Sequence, residues 1–488
     1  MRSFKCSLTS VMCALAAMVA SCGGGGRESS GGVPPPAVIV PPPPSPPRAQ
    51  DSRIFPAPQE SELAALDAQW SSTDRWVGIL DGAAYRIEVP RNWNGRLLVW
   101  ARGYWNGASL YIENPYLRRH LLEQGYAWAA SSYTRNYYDV NSAIEDSNRL
   151  VRAFASIAAA RGRALEAPRR VYIAGWSMGG HVAAAAVERE VRRDALVPWL
   201  YDGALSLCGS VNDVAWFDYL AAYQLALQQL MGNAAEAYPS AVYTRERTAL
   251  QQRVQTAALS DDTRDPAIAQ LRALTEQLSG GTRPFFREGW MDAYHHNLLF
   301  GLLMNGSPQL DGVLSRNGVD TRNVVYRFSN SADATSASFN TRVLRVTPEP
   351  EANPLQPRGL RWVPKGSGQL EAPVLTLHTL GDLTVPLSAQ QEYRERVRNA
   401  GRDHLLVQRV VRDAGHCSFT QHEVARGLDD LVKWVEAGQR PDGDNLLDAE
   451  ALGLSNAGCR FTDNHAQSGD RTDARYRARI QANYPACP

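Results

Sequence analysis

Length, composition and charge limit the kind of protein that this chain can form. It has 488 residues, 44% of them hydrophobic, and 51 Lys plus Arg nearly balance 50 Asp plus Glu, for a formal net charge of +1. Apolar side chains in that proportion can fill a large core. A nearly neutral chain gives no electrostatic reason to expect a nucleic acid partner. We therefore expect a folded globular protein that binds no nucleic acid.

Residues 1–21 have the pattern of a bacterial lipoprotein signal peptide. A short basic start precedes an apolar run, Cys6 to Ala20, that is too short to span a bilayer comfortably. Residues 19–22, Val-Ala-Ser-Cys, resemble a lipoprotein cleavage box in which Cys22 becomes the lipidated first residue. We expect a protein of the bacterial cell envelope that is anchored to the membrane by this lipid. Gly23 favours the outer membrane, and a periplasmic or secreted protein is the alternative.

Residues 22–51 are predicted to form an extended tether. They contain four consecutive glycines and the run Pro-Pro-Pro-Pro-Ser-Pro-Pro at 41–47, with almost nothing to bury. Proline-rich segments extend by about 3.1 Å per residue. The tether would hold the folded part some tens of ångströms from the lipid surface.

The remaining chain alternates strand and helix patterns, except in one long stretch. Strand patterns occupy 85–89, 97–100, 126–130, 171–174, 203–208, 373–379 and 405–411, and helix patterns occupy 141–162, 181–193 and 420–437. Such alternation predicts a mostly parallel sheet with helices on both faces. We assign residues 52–209 and 369–440 to the two parts of this α/β core.

A strand-to-helix turn around Ser177 is the most informative feature of the sequence. Residues 171–180 read Val-Tyr-Ile-Ala-Gly-Trp-Ser-Met-Gly-Gly, which joins a buried-strand pattern to G-x-S-x-G, and a helix-forming run follows. On such a turn the serine hydroxyl stands above the sheet, and the flanking glycines omit Cβ atoms that would collide. A chance match is common for the pentapeptide alone, but here the strand and helix are present too. The pattern predicts that Ser177 is a nucleophile.

Residues 210–368 interrupt the alternation with long helical patterns, of which 214–230 is the clearest. A structureless segment of this length does not belong in a compact domain, so we expect a helical lid over the site. The segment is rich in aromatic residues, most of which should pack the lid while a subset lines an apolar pocket. They are Trp216, Phe217, Tyr219, Phe285, Phe286, Trp290, Tyr294 and Phe300.

A nucleophilic serine needs a histidine to accept its proton and a carboxylate to orient that histidine. Asp382 follows the strand pattern at 373–379, and His416 lies in the loop after the pattern at 405–411. Asp213, in the loop after the pattern at 203–208, is the alternative carboxylate.

The other notable histidines have simpler explanations. His378 lies in a strand pattern, His181 begins the helix behind Ser177, and His295 and His296 lie in an aromatic stretch where packing is the default. Without H-E-x-x-H or cysteine and histidine pairs at ligand spacing, we expect no metal.

The chain order Ser177, Asp382, His416 resembles that of the α/β-hydrolase superfamily, over most of residues 75–437. The resemblance implies an α/β-hydrolase fold in which Ser177 is the nucleophile, His416 the general base and then acid, and Asp382 the orienting carboxylate. G-D-x-x-V-P after an apolar strand is the more usual setting of the acid in this family, which favours Asp382 over Asp213.

The same resemblance implies an oxyanion hole made of backbone N–H groups. Met178, directly after the nucleophile, supplies one of them. The loop after the strand pattern at 97–100 supplies the other, from Tyr104 or alternatively Gly103. This loop reads Arg-Gly-Tyr where relatives often carry His-Gly.

Four cysteines remain beyond the signal peptide and Cys22: Cys208, Cys417, Cys459 and Cys487. An even set in an exported protein indicates disulfides, and four cysteines allow three pairings. We favour Cys208–Cys417, at the ends of two strands, and Cys459–Cys487, within the polar tail at 441–488. A cysteine directly after the predicted histidine resembles tannase and feruloyl esterase relatives, although their second cysteine precedes the serine, where this chain has Trp176.

These features predict an exported, lipid-anchored serine hydrolase without a cofactor. It would cleave carboxylic esters of a bulky, aromatic or apolar small-molecule or oligomeric substrate through an acyl-enzyme. A peptidase or amidase is the alternative, because the triad does not specify the leaving group. A non-catalytic, surface-tethered binding protein on a hydrolase fold is a third hypothesis, against which the intact triad argues.

Overall fold

The computed structural model describes residues 55–56, 58 and 62–487, apart from gaps at 234–236, 239–240, 302–317, 332, 349–351, 354–359, 465–468, 473–476, 478–481 and 486. The predicted signal peptide, Cys22 and the tether lie outside the described residues. Within the described ranges, no helix is both long enough and apolar enough to cross a membrane.

An eight-stranded sheet organises the chain, in the order β1-β2-β4-β3-β5-β6-β7-β8. The strands are β1 (Asp74–Leu80), β2 (Ala83–Val89), β3 (Arg96–Ala101), β4 (Ala127–Ser131), β5 (Arg170–Trp176), β6 (Gly203–Leu207), β7 (Val374–Thr379) and β8 (Leu406–Val411). β2 is antiparallel to both of its neighbours, and the pairs from β4 to β8 are all parallel. The predicted mostly parallel sheet is confirmed.

Helices cover both faces of the sheet. They are α1 (Arg118–Glu123), α2 (Val140–Ala160), α3 (Met178–Ala185), α4 (Arg189–Asp194), α5 (Ala215–Leu230), α6 (Ala241–Leu259), α7 (Pro266–Leu278), α8 (Phe286–Trp290), α9 (Ala293–Gly301), α10 (Ala334–Arg342), α11 (Leu387–Asn399), α12 (Gln421–Ala437) and α13 (Ala449–Gly453). β4, β6, β7 and β8 are buried at every residue. Continuous burial is expected of parallel strands that are covered on both faces.

Alternate side chains of each central strand enter two separate hydrophobic layers. In β3, Leu97 and Val99 pack in the layer that contains residues of α2 and α3, whereas Leu98 and Trp100 pack in the layer that contains residues of α1 and α12. This follows from the period of two in a strand, which turns successive side chains to opposite faces. The sheet therefore has a core on each side.

The ends of α12 show how local sequence sets an element boundary. Thr420 accepts a hydrogen bond from the Glu423 N–H, and the Glu423 carboxylate accepts one from the Thr420 N–H. This capping box pairs two backbone donors that would otherwise have no partner. At the other end, Gly438 adopts φ +68°, a left-handed conformation that favours glycine. Because α12 follows the loop that carries His416, its fixed start also fixes the end of that loop.

The described part of residues 210–368, called here the inserted segment, forms helices α5 to α10. Trp216 and Phe217 of α5 belong to the same hydrophobic layer as Val99 of the sheet. The Trp216 indole donates to the Thr384 carbonyl (2.7 Å), and the Tyr219 hydroxyl donates to the Leu383 carbonyl (3.1 Å). The inserted segment is therefore packed on the sheet and bonded to residues 380–386, which we call the acid loop.

Candidate active site

Ser177 lies at the junction of β5 and α3 with φ +54° and ψ −122°. A non-glycine residue in such a conformation costs of order 1–3 kcal/mol and is held only by its surroundings. The flanking glycines are required, because a Cβ at Gly175 or Gly179 would lie 2.3 or 2.0 Å from the Ala101 carbonyl oxygen. The turn is therefore pressed against the end of β3 and presents the Ser177 hydroxyl beyond the strand.

Three side chains form a hydrogen-bonded series at the carboxyl ends of β5, β7 and β8. The Ser177 hydroxyl donates to His416 Nε2 (2.9 Å), and His416 Nδ1–H donates to Asp382 Oδ2 (2.6 Å). Because a carboxylate only accepts, Asp382 fixes the tautomer that leaves Nε2 free to accept a proton. The structure thus brings together Ser177, His416 and Asp382, which the sequence singled out.

The Asp382 carboxylate is fully buried and well supplied with donors. Its Oδ1 atom accepts from the N–H groups of Thr384 (2.8 Å) and Val385 (3.1 Å). Burial alone would raise the pKa of Asp382, but His416 and neighbouring histidines outweigh that effect and hold the pKa below its ordinary value. The acid therefore stays ionised beside the imidazole.

Asp213, the alternative acid, is engaged elsewhere. Its Oδ2 atom accepts from Arg396 (2.8 Å) and from the Gly366 N–H (2.9 Å). Burial raises the pKa of Asp213, and Arg396 offsets part of the rise. These contacts join α11 to the end of the inserted segment, so Asp213 has a structural role away from His416.

Two of the remaining histidines are buried and neutral, as their sequence settings suggested. His378 donates to the Val385 carbonyl (3.0 Å), and burial lowers its pKa to about 4. His181 contacts the Tyr138 hydroxyl (3.1 Å), and burial lowers its pKa to about 3. Neither side chain is placed to accept the Ser177 proton.

His295 has a contact that sequence reasoning missed. Its Nδ1–H donates to the Gly289 carbonyl (2.9 Å), and its Nε2 lies 3.6 Å from Asp382 Oδ1. The inserted segment thus places a second imidazole beside the acid. Its neighbour His296 instead donates to the Trp290 carbonyl (2.6 Å), and burial lowers its pKa to about 4.

Two disulfides join the pairs that the sequence favoured. Cys208, directly after β6, is bonded to Cys417, with Cα atoms 5.3 Å apart, and Cys459 is bonded to Cys487, with Cα atoms 5.0 Å apart. Since Cys417 follows His416, the first disulfide ties the histidine loop to the strand beside the nucleophile. Its sulfurs are bonded to each other, so the cluster of Cys208, His416 and Cys417 offers no thiolate to a metal.

A cavity of about 210 Å³ opens onto Ser177 and His416. Its other lining residues are Gly103, Tyr104, Tyr111, Glu113, Tyr138, Trp176, Trp216, Tyr294, Leu298, Thr384, Cys417 and Arg471. Tyr294 is half exposed at this cavity, and its ring is nearly parallel to that of His416 (18°, centroids 6.5 Å apart). Of the inserted aromatic residues highlighted in the sequence, Trp216 and Tyr294 reach the cavity, and the others lie buried in the packing.

Known proteins that are similar to this chain include an amidase, an esterase and a peptidase. No protein-family model matches the chain. The o-phthalyl amidase of Xanthobacter agilis is 24% identical over 406 residues, which cover 74% of this chain and 87% of the amidase. Feruloyl esterase B from Aspergillus oryzae aligns with a TM-score of 0.41 and 13% identity, over 76% of this chain and 82% of the esterase. An acylaminoacyl peptidase of Pyrococcus horikoshii aligns with a TM-score of 0.37 and 11% identity, over 78% of this chain but only 44% of the peptidase.

The strand order, the antiparallel β2 and the serine turn after β5 together decide the fold class. The chain has the α/β-hydrolase fold. This confirms the fold that the sequence resemblance implied. The helix that follows the serine turn is α3.

Of the two regions proposed for the oxyanion hole, one lies at the serine turn and the other lines the cavity. Met178 is the first residue of α3, where an N–H has no acceptor within the helix. Gly103 and Tyr104 follow β3 and line the cavity. Buried Arg102 holds this loop, because its guanidinium donates to the carbonyls of Gly103 (2.9 Å) and Ser132 (2.8 and 3.0 Å).

Two charged residues of the cavity were not predicted. Glu113 accepts a hydrogen bond from the Trp100 indole (3.2 Å), and Arg471 lies with its guanidinium carbon 3.7 Å from the centre of the Trp176 ring. Burial raises the pKa of Glu113, and Trp100 and Arg471 offset only part of that rise. Neither residue belongs to a local motif, so only the folded chain reveals them.

Proposed function

We propose that this α/β hydrolase is a serine hydrolase that cleaves carboxylic esters through an acyl-enzyme. The observation that carries the proposal is the hydrogen-bonded series Ser177–His416–Asp382 at the cavity. His416 takes the Ser177 proton as Oγ attacks the carbonyl carbon, and then passes that proton to the departing alkoxide. Water activated by the same imidazole next breaks the acyl–serine bond, which releases the carboxylic acid and restores the serine.

Negative charge develops on the substrate carbonyl oxygen during both steps. We assign its stabilisation to the backbone N–H of Met178 and to that of Tyr104 or Gly103. Main-chain donors on a held loop need little reorganisation during the reaction. The Arg102 contacts support this assignment, because they fix the loop that carries the second donor.

Amide cleavage is the second candidate, and one observation favours it. The sequence relative that aligns over 74% of this chain is named as an amidase. The same serine attack applies to an amide, with an amine as the leaving group. The inserted segment would serve either activity by shaping the cavity and shielding the acyl-enzyme from bulk water, a lid-like role that we also propose.

Matched substrates test these alternatives. We would measure hydrolysis of 4-nitrophenyl benzoate and of benzoyl 4-nitroanilide by the domain from Asp51 onward, with Ser177→Ala as the control for contaminating activity. Turnover of the ester alone supports an esterase, and turnover of the anilide as well identifies an amidase. Absence of turnover together with absence of fluorophosphonate labelling at Ser177 would support the non-catalytic binding protein instead.

We also propose that the enzyme is exported and held at the cell envelope, in the outer membrane, by lipid on Cys22. The sequence pattern of residues 1–22 and the two disulfides, which are typical of oxidising compartments, support this address. Cys22→Ser should move the enzyme from the membrane fraction to the soluble fraction without changing its specific activity. Continued membrane association of the variant would identify a different attachment.

A further inference from the structure

Arg471 places a cation in the wall of the cavity that holds Ser177 and His416. We propose that this residue forms an anion subsite, which selects substrates whose acyl group is a single aromatic ring bearing a carboxylate. The inference specifies the substrate class of the hydrolase proposed above and rests on that proposed function. It comes from the position and anchoring of Arg471, from the absence of an ion pair to its guanidinium among the described residues, and from the size of the cavity.

The backbone around Arg471 is held in place by neighbouring structure. The Arg471 N–H lies 3.0 Å from the Tyr116 hydroxyl oxygen and 3.3 Å from the Phe419 carbonyl oxygen. The carboxylate of Asp470 accepts from the Gln421 N–H at the start of α12 (2.7 Å). Arg471 is therefore delivered to the cavity by an anchored segment.

The tail that contains Arg471 has further attachments, of which one is covalent and the others are ion pairs. The disulfide between Cys459 and Cys487 closes a loop that contains it. Within the same loop, buried Arg477 pairs with Asp413 (2.9 Å) and Glu423 (3.0 Å), close to the histidine loop. The tail is thus fastened beside the catalytic residues.

The Arg471 guanidinium has no acidic partner among the described residues. Its side chain contacts the Trp176 ring, whereas nearby Arg477 and Arg409 pair with carboxylates. Glu113, the other charged wall residue, accepts a hydrogen bond from the Trp100 indole, and Arg471 lowers its pKa from a distance without a hydrogen bond to it. A guanidinium presents planar N–H donors that match both oxygens of a carboxylate. Arg471 is therefore available to an anionic group of a bound substrate.

The dimensions and lining of the cavity specify the rest of the acyl group. A cavity of about 150 Å³ is known to hold benzene, so the 210 Å³ found here accommodates one substituted ring. Aromatic side chains such as Tyr138, Trp176 and Trp216 form much of the lining. Arg471 lies over the Trp176 ring and lines the same cavity as Ser177, so the cation and the nucleophile share one space. A compact aryl acyl group that carries a carboxylate meets these conditions together.

Kinetics with matched esters test the subsite. The substrates are 4-nitrophenyl benzoate and its analogues with a carboxylate or a carboxamide in the meta position. We expect the wild-type enzyme to prefer the carboxylate over the carboxamide by about tenfold in kcat/KM, the effect of a charge-assisted hydrogen bond. Arg471→Gln should remove the preference for the carboxylate over the carboxamide, while Arg471→Lys should retain part of it.

Arg426→Gln is the matched control. Arg426 is an exposed arginine whose guanidinium carbon lies 5.4 Å from the Phe461 ring centre, and it does not line the cavity. This variant should keep the carboxylate preference. Equal slowing of all three esters by Arg471→Gln would indicate a structural role and would overturn the subsite, as would the absence of a preference in the wild-type enzyme.

A binding measurement separates this proposal from the proposed function. Isophthalate is titrated calorimetrically into Ser177→Ala and into Ser177→Ala with Arg471→Gln, neither of which needs to turn over. Binding that depends on Arg471 supports the subsite even if no ester is hydrolysed, in which case the hydrolase proposal fails alone. Ester hydrolysis without a carboxylate preference and without isophthalate binding would refute the subsite and leave the hydrolase standing.

Discussion

The proposed catalytic residues and the surrounding wall of the cavity are built in different ways. Ser177, Asp382 and His416, which we call the floor, follow three parallel strands, whose register sets their relative positions. The wall includes Trp216 and Tyr294 from the inserted segment and Arg471 from the tail. The floor is fixed by the sheet, whereas these wall residues are held by contacts outside the strand pairing. The proposed chemistry and the proposed selectivity thus depend on separately supported parts of one site.

The floor and wall meet at the acid loop. A Cβ at Gly289 of α8 would lie 1.9 Å from the Gly381 carbonyl oxygen of the acid loop. His295 Nε2 lies 3.6 Å from the Asp382 carboxylate. Trp216 adds a hydrogen bond to the same loop. Changes to the floor should therefore abolish turnover, whereas changes to the wall should mainly alter selectivity or stability.

Loss of the nucleophile or the base should have the largest effect. We expect Ser177→Ala and His416→Ala each to lower kcat by about 10⁶-fold, and the double variant to be little worse, because the triad acts as a unit. Both should fold, as circular dichroism would show. More than a few per cent residual activity in Ser177→Ala, with contamination excluded, would place the nucleophile elsewhere and remove the distinction between floor and wall.

Replacing each of the two candidate acids by Asn should distinguish a floor residue from a structural one. Asp382→Asn should lower kcat by about 10⁴-fold, because the amide disturbs the histidine tautomer. Asp213→Asn should retain most activity and instead lower the melting temperature, because it weakens the contact with Arg396. Kinetics and thermal unfolding of both variants check this. The opposite ranking of activities would transfer the orienting role to Asp213.

Removing each disulfide in turn compares the floor with the wall, because one disulfide adjoins His416 and the other closes the loop that carries Arg471. Replacing Cys208 and Cys417 by Ser should lower kcat about 10- to 100-fold, since small displacements of a catalytic group are costly. Replacing Cys459 and Cys487 should leave benzoate hydrolysis nearly intact and weaken only the preference set by Arg471. Peptide mapping without reduction checks the pairing in the wild-type protein. Equal losses in both double variants would contradict a separate wall.

The smallest effect is expected at a joint between the core and the inserted segment. Glu188 accepts from Ser367 (2.9 Å) and the Gly368 N–H (3.0 Å), and burial raises its pKa from 4.5 to about 7. The folded state therefore binds more protons than the unfolded state between these values, so its contribution to stability falls as pH rises through this window.

In the Glu188→Gln variant, the free energy of unfolding should fall less steeply as pH rises. Denaturant unfolding at several pH values from 4.5 to 7 provides the measurement. Other buried acids, including Glu423 with a pKa raised to about 7, contribute in the same direction and keep the remaining slope. An unchanged pH profile in the variant would mean that Glu188 does not couple protonation to the stability of this joint.

Local patterns were sufficient to predict the α/β fold, and together with the resemblance to α/β-hydrolases they singled out the residues of the floor. The G-x-S-x-G turn and the polar residues after buried strands are short-range features, and each lies where its strand ends. β1, Asp74–Leu80, was not predicted, because an edge strand with mixed burial lacks a continuous apolar run.

The wall was less predictable for a physical reason. Glu113 and Arg471 reach the cavity through tertiary contacts, and neither has a flanking motif. His295 meets Asp382 only because α9 packs against the acid loop. Contacts between residues far apart in sequence leave no periodicity that a single chain could reveal.

The disulfide beside His416 has a consequence for biosynthesis. Cys417 follows Cys208 by 209 residues, so at about 5–20 residues per second its thiol emerges about 10 to 40 seconds later. A nascent chain carries the Ser177 nucleophile long before it carries a proton acceptor for it, and Arg471 is made later still. Chains that end before His416 are therefore expected to be hydrolytically inert.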